Sequence, residues 1–188
     1  MLTHELRDFT LDACDTCEQC LLAATAALAE GSAKVTFSGN VQFNMDMDQV
    51  METLKDVIPT NPEIEKEKTH GPVEFWELEY ENVATGDGYV ADIKYLFVGN
   101  GLVAVHYDMA DGTSYEKVKA QLVDAYGEAV PFDAAEIGNA KYAIDDDGDL
   151  KDCKEMVKAD GLTFVLEQDH DGDVEVTILD PTAAYINN

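Results

Sequence analysis

The segment "YVADIKYLFVGNGLVAVHYDM", residues Tyr89 to Met109, decides the fold class. Ile93, Tyr95 and Phe97 recur at every second position, the period of a strand with one apolar face. Gly99-Asn100-Gly101 follows, and an Asn-Gly pair suits the positive φ angles of a type I′ hairpin turn. "LVAVHYDM" is then the returning strand. Two strands joined this tightly are antiparallel, and a hairpin needs further strands or a helix to be stable.

Upstream, "VEFWELEYENV" supplies another strand. Trp76, Leu78 and Tyr80 alternate with Glu77, Glu79 and Glu81, so one face is apolar and the other acidic. The preceding "NPEIEKEKTHGP" reads as a polar connector. Before it, Asp46 stands as an N-cap in front of Met47, Val50, Met51 and Leu54, whose i, i+3, i+4, i+7 spacing predicts a helix to about Val57, ended by Pro59 and Pro62. "VTFSGNVQF", residues 35 to 43, predicts a short strand or turn.

Downstream, Ser114 caps a second helix with Tyr115, Val118, Leu122 and Tyr126 on one stripe and Gly127 as its stop. Residues 128 to 144 have no clear period, with a short strand possible near Ala140 to Ile144. Asp149 predicts a cap for a third helix bearing Leu150, Cys153, Met156 and Val157 and ending at Gly161, with Cys153 as a buried, inert thiol. "LTFVLEQ" and "DVEVTIL" close the chain as strands joined by Asp169-His170-Asp171-Gly172.

The expectation is one α+β domain over residues 30–188, with the long helices on one face of an antiparallel sheet. Trp76, Leu78, Tyr80, Ile93, Tyr95, Phe97, Val118 and Leu122 are its predicted core. Two segments align at an offset of 68 residues, "MDMDQVMETL" from Met45 and "TSYEKVKAQL" from Thr113. Asp46 matches Ser114, Val50 matches Val118 and Leu54 matches Leu122. This suggests tandem α-β-β-β repeats, one over about residues 35–110 and the second over about 111–188.

"LFVGNGLVAVHYDM…TSYEKVKAQLVDAYGE" resembles the repeat of a family of secreted or lipid-anchored proteins from Gram-positive gut bacteria. "VQFNMDMDQVMETL" resembles the opening element of that repeat, and "GLTFVLEQDHDGDVEVTILD" its closing hairpin. The order of elements is similar to the beta-lactamase-inhibitor-protein fold and to small lipoproteins of outer-membrane assembly. The resemblance implies a curved antiparallel sheet that binds other proteins. Asn44 departs from the pattern by standing where that family has glycine, and no lipobox cysteine is present.

Composition narrows the classes of partner. The chain has 188 residues, is 46% hydrophobic and carries a net charge of −27, with Arg7 its only arginine. Such a charge repels phosphate backbones and anionic membrane surfaces, and attracts basic partners or divalent cations. The longest uncharged apolar run, Leu21 to Ala29, is far short of the roughly 20 residues of a membrane span.

"CDTCEQCLLAATAALAEG", residues 14 to 31, allows three readings. Cys14, Cys17 and Cys20 have the spacing of metal ligands but lack a local fourth ligand, and Asp12, Asp15 and Glu18 oppose thiolate formation. The apolar run ending Ala27-Leu28-Ala29 matches the end of a secretory h-region and its cleavage site, although no basic n-region precedes it. The third reading is an N-terminal helix with an alanine-rich face. The expectation is that residues 1–29 are a signal-peptide remnant or a disordered segment, and that the protein is secreted or held in the cell envelope.

Catalytic patterns are sparse. His4, His70, His106 and His170 have no histidine at i+4, and no serine lies in G-x-S-x-G. His106 reads as a packed or half-exposed residue, rather than a ligand, on the strand face opposite Val105 and Tyr107. Asp145, Asp147 and Asp149 in "DDDGD", and Asp169 and Asp171 in "EQDHDGD", are weak calcium candidates; counting an EF-type loop from Glu167 puts Ile178 where the bidentate glutamate belongs. No cofactor is expected. The leading expectation is a non-catalytic protein that binds a protein or glycan partner, with a basic one favoured, through Glu77, Glu79 and Glu81 on an acidic sheet face. The alternatives are a carboxylate-dependent hydrolase and a calcium-stabilised structural module.

Overall fold

The computed structural model describes residues 40–58, 60–70, 73–85, 89–144 and 150–180. The signal-remnant segment, Cys14, Cys17 and Cys20, and the acidic run Asp145 to Asp149 lie outside the described residues. Within them the chain is α+β: α1 (Met47–Leu54), β1 (Glu63–His70), β2 (Val73–Ala84), β3 (Val90–Val98), β4 (Gly101–Met109), α2 (Tyr115–Tyr126), β5 (Ala129–Pro131), α3 (Ala134–Ile137), a 3-10 helix (Gly138–Ala143), β6 (Cys153–Ala159), β7 (Leu162–Gln168) and β8 (Val174–Leu179). The strands form one eight-stranded sheet in the order β1-β2-β3-β4-β8-β7-β6-β5, antiparallel at every junction.

The hairpin at Gly99 forms as the sequence predicts, with Val98 opposite Gly101, but the turn differs. Gly99 takes φ +60 while Asn100 stays at negative φ, so the glycine occupies the first central position, as in a II′ turn. A true I′ signature lies elsewhere. Asp160 and Gly161, at φ +51 and +83, join β6 to β7. Gly161 therefore turns a hairpin and does not stop a helix.

The segment predicted as a third helix, Cys153 to Val157, is strand β6. Buried Met156 and Val157 point to opposite faces of the sheet and are covered on both, so the apolar pair that mimics a helical stripe belongs to a two-sided strand. The supposed connector after Asn61 also contains a strand, β1. It is an edge strand, paired only with β2, and an edge strand can be polar in sequence. Ala140 to Ile144, read as a possible strand, lies in the 3-10 helix and the turn after it.

Both long helices start where the sequence places them. Asp46 caps α1 through a capping box: its Oδ1 accepts from Gln49 N at 2.8 Å, and Gln49 Oε1 accepts from Asp46 N at 3.0 Å. Ser114 holds the N-cap position of α2, yet its hydroxyl makes no capping bond. Asn44 has φ +67 and is tied to β4 by backbone bonds from Asn44 N to Leu102 O (2.9 Å) and from Leu102 N to Met45 O (2.8 Å). Glycine takes that backbone angle freely, and asparagine is one of the few other residues that tolerate it.

The sheet's first face carries the main core. Leu78, Tyr80, Ile93, Tyr95, Phe97, Val105, Tyr107, Phe164, Leu166, Val176 and Ile178 pack under Val50 and Leu54 of α1 and Val118 and Leu122 of α2. Every predicted core residue lies in or against this cluster; Trp76 is only partly buried at its margin. Each fully buried Leu, Ile or Phe contributes roughly 1.5–3 kcal/mol. Tyr126 of α2 stacks on Phe164 with centroids 4.3 Å apart, and Glu155 of β6 accepts from Tyr115 Oη (2.9 Å) and Lys119 Nζ (2.8 Å), which pins α2 to the sheet.

The two long helices share one face, as expected, but the helices are not confined to it: α3 and the 3-10 helix lie on the other face, where Ile137, Ala140, Ala143 and Ile144 pack on Val73, Phe75, Leu96, Ala104, Val165 and Leu179. That second core covers only part of its face.

Candidate functional site

The second face changes character strand row by strand row. Cross-strand partners share a face, so the register lists what each row presents. The row Glu77–Leu96–Ala104–Leu179–Thr163 borders the second core. The next, Glu79–Lys94–His106–Thr177–Val165, is largely polar. Beyond it Asp92, Asp108, Glu175 and Glu167 stand directly opposite one another on β3, β4, β8 and β7. Four carboxylates thus follow one another across four adjacent strands, a span of about 14 Å at the usual strand spacing.

Hydrogen bonds organise the centre of this region. His106 Nε2 lies 3.2 Å from Glu175 Oε2. On its other side His106 Nδ1 is 2.9 Å from Thr177 Oγ1, and the Thr177 hydroxyl donates to Glu167 Oε1 at 3.3 Å. Since threonine spends its one proton on Glu167, its oxygen accepts from Nδ1–H. The order of donation is therefore imidazole to hydroxyl to carboxylate. Cys153 of β6, opposite Glu167 in register, adds a second hydrogen bond to that carboxylate. The cysteine is half-buried in a strand, not set in a helical stripe.

His106, Glu167 and Thr177 are buried, whereas the Glu175 side chain keeps about 35% of its surface. Burial pushes Glu167 up to about 7, with the neighbouring Glu175 charge adding to the rise. Burial also pulls the His106 imidazolium down, but its hydrogen bond to Glu175 and the charges of Glu175 and Glu167 outweigh this and leave it raised. Glu175 moves the other way, lowered first by the hydrogen bond from His106. Asp108 is raised by burial and then by the charge of Glu175. Lys94 faces the same row and pairs with Glu79 at 3.9 Å.

The acidic ladder read from the sequence is split by this layout. Glu81 is exposed and Glu79 half-buried, but Glu77 is only 4% exposed because it borders the second core. A uniformly solvated glutamate face is therefore not what forms. Asp169 and Asp171 lie on the β7–β8 turn. There Asp169 Oδ1 accepts from the backbone N–H of Asp171 (2.8 Å), Gly172 (2.8 Å) and Asp173 (3.0 Å). The aspartate's place is explained by closing the turn. His170 beside it is largely exposed.

Two residue groups escaped the sequence reading: Asp92, Asp108 and Glu175 of the carboxylate row, and Thr177 at the centre. The signal was present as polar residues two apart on single strands, namely Asp92 and Lys94, His106 and Asp108, Glu175 and Thr177. What no strand reveals alone is that β4 lies beside β8. His106 was expected to be packed or half-exposed; it is only 9% exposed, and it is packed among carboxylates.

Comparison with protein-family models, with curated proteins and with solved structures finds no match to this chain. Among the described residues no helix is long and apolar enough to cross a membrane.

Proposed function

We propose that this is a secreted or cell-envelope binding protein without catalytic activity, and that its sheet offers the acidic end of its second face to a basic segment of a partner protein. The observation that carries this is the in-register row Asp92–Asp108–Glu175, flanked by Glu79 and Glu81 and backed by the buried Glu167. Like charges placed directly opposite one another cost stability. A partner that supplies lysine or arginine side chains recovers that cost on docking, and the chain's net charge of −27 steers such a partner from a distance. The face differs from the Glu77, Glu79 and Glu81 ladder in that Glu77 is too buried to take part.

The two halves are read as tandem repeats within the resembled fold. In support, each half opens with a helix and contributes four strands rather than the expected three, α1 with β1–β4 and α2 with β5–β8, and the halves join through their last strands, β4 and β8; the second half differs in carrying α3 and the 3-10 helix between β5 and β6.

Capture from cell-envelope extract tests the binding reading. The parental protein should retain a partner that elutes with added salt, and D92N/D108N should lose it. Equal capture by both proteins, or capture indifferent to salt, overturns the acidic face. Intact mass of the native protein tests secretion, with a start after Ala29 expected.

A second reading, a carboxylate-dependent hydrolase, is favoured by one observation: Glu167 and Glu175 are neighbours driven in opposite directions, the pattern of an acid beside an ionised carboxylate. A glycoside panel with E167Q and E175Q as controls decides it.

A further inference from the structure

We infer that His106, Glu175 and Glu167 form a binding site for one divalent transition-metal ion of the zinc class. This goes beyond the docking of a basic partner and stands whether or not one docks. One ligand atom from each of the three residues lies within 4.8 Å of the others, on three strands that adjoin in the middle of the sheet. Tetrahedral zinc with bonds of about 2.0–2.1 Å separates its ligand atoms by roughly 3.3 Å. The His106 Nε2 to Glu175 Oε2 distance of 3.2 Å already has that value, so the ion takes the place of the Nε2 proton. Glu167 completes the set by a change in its own side-chain torsions.

The surroundings supply the features a metal site needs. Thr177 holds the Nδ1 proton of His106, which leaves the Nε2 lone pair to face Glu175. Metal-binding histidines are commonly oriented in this way through their second nitrogen. Glu167 is 8% exposed, and the Thr177 hydroxyl and Cys153 thiol that donate to it are both uncharged. A cation compensates such a carboxylate far better. Cys153, bonded to Glu167, orients that third ligand. Of the charged groups facing the site, Asp108 and Asp92 favour a cation, and Lys94 is partly offset by Glu79. One nitrogen and two carboxylates select zinc-class ions over calcium, which takes oxygen ligands only. The exposed group Asp169, His170 and Asp171 offers the same ligand types, but Asp169 is engaged with three backbone N–H groups.

The test is zinc titration of the full chain by calorimetry after chelation, in a background carrying C14S, C17S and C20S so that those thiols contribute nothing. One equivalent is expected. H106Q and E175Q should each weaken zinc at least about tenfold, and T177V should weaken it less without changing the stoichiometry. D169N/D171N should leave it unchanged. Cobalt in place of zinc gives a reading that needs no variant at the site: intense visible bands of a four- or five-coordinate ion support the assignment, and the weak bands of an octahedral ion count against it. Undiminished zinc affinity in both H106Q and E175Q, loss of zinc only in D169N/D171N, or no zinc bound by the parental protein each overturn the inference.

Discussion

The two faces of the sheet are made by the same strands and differ in what they bury. On the first, side chains from seven strands meet two amphipathic helices and form one continuous apolar core. On the second, ten residues of short helix cover one end, and the strand residues that project beyond that cover are acidic, or are paired or hydrogen-bonded with acids. An apolar face needs no particular arrangement within it, so substitutions there act through volume. A charged face is sensitive to which residue stands opposite which. The first face supplies the folding energy, and that supply tolerates a row of opposed carboxylates on the second.

The comparison is broken most severely by removing a large side chain from each core. Phe164→Ala on the first face should cost about 3–5 kcal/mol in urea unfolding. Phe75→Ala under α3 should cost a similar amount, since both rings are fully buried. A loss below about 1 kcal/mol at Phe75 would mean that the short helices do not hold a packed layer, and that the second face is open along its whole length.

Tyr95→Phe has a smaller effect of opposite sign. Tyr95 is fully buried against Tyr80, ring edge to face at 6.0 Å, and its hydroxyl has no hydrogen-bond partner. Removing that oxygen should raise stability by about 1 kcal/mol or more. A loss would imply a partner for the hydroxyl and a less apolar first face.

On the second face, Asp108→Asn relieves two like-charge oppositions, with Asp92 and with Glu175. In chelated protein at neutral pH it should stabilise by about 0.5 kcal/mol. Destabilisation would show that the row is held by favourable interactions rather than tolerated.

The smallest effect concerns the link between α2 and β6. Glu155 is lowered first by its hydrogen bond from Lys119, and also by that from Tyr115, so its ionised form is favoured in the folded state. Such a carboxylate adds stability above its unfolded pKa, and the contribution disappears as pH falls through the lower, folded value. Glu155→Gln should therefore cost a few tenths to about 1 kcal/mol at pH 7 and nothing near pH 2. A difference that persists in acid would assign the contact to packing instead.

Much of the first face was legible in the sequence because its signals are local. Asp46 and Gln49 close a capping box three residues apart, and Val118 and Leu122 lie one helical turn apart. Leu78 and Tyr80, or Ile93 and Tyr95, are two apart on one strand. β6 was misread for a related reason. Cys153, Met156 and Val157 fit a helical stripe as well as they fit a strand covered on both sides, and only Asp160-Gly161, an I′ turn leading into β7, distinguished the two. β1 was missed because an edge strand needs no apolar face to pair.

The sequence by itself determined the β3–β4 and β7–β8 hairpins, the starts of the two long helices and the apolar set they bury, because periodicity and turn chemistry act over a few residues. It also determined the sign of the surface, since net charge needs no coordinates. Only the tertiary structure decided that β4 lies beside β8, which sets His106 against Thr177 and Glu175 some 70 residues away in the chain. It also decided that α3 and the 3-10 helix share a second core with Phe75, beside which Glu77 is buried. Strand order and register arise from the packing of the whole sheet, and no short stretch of residues encodes which strand will be its neighbour.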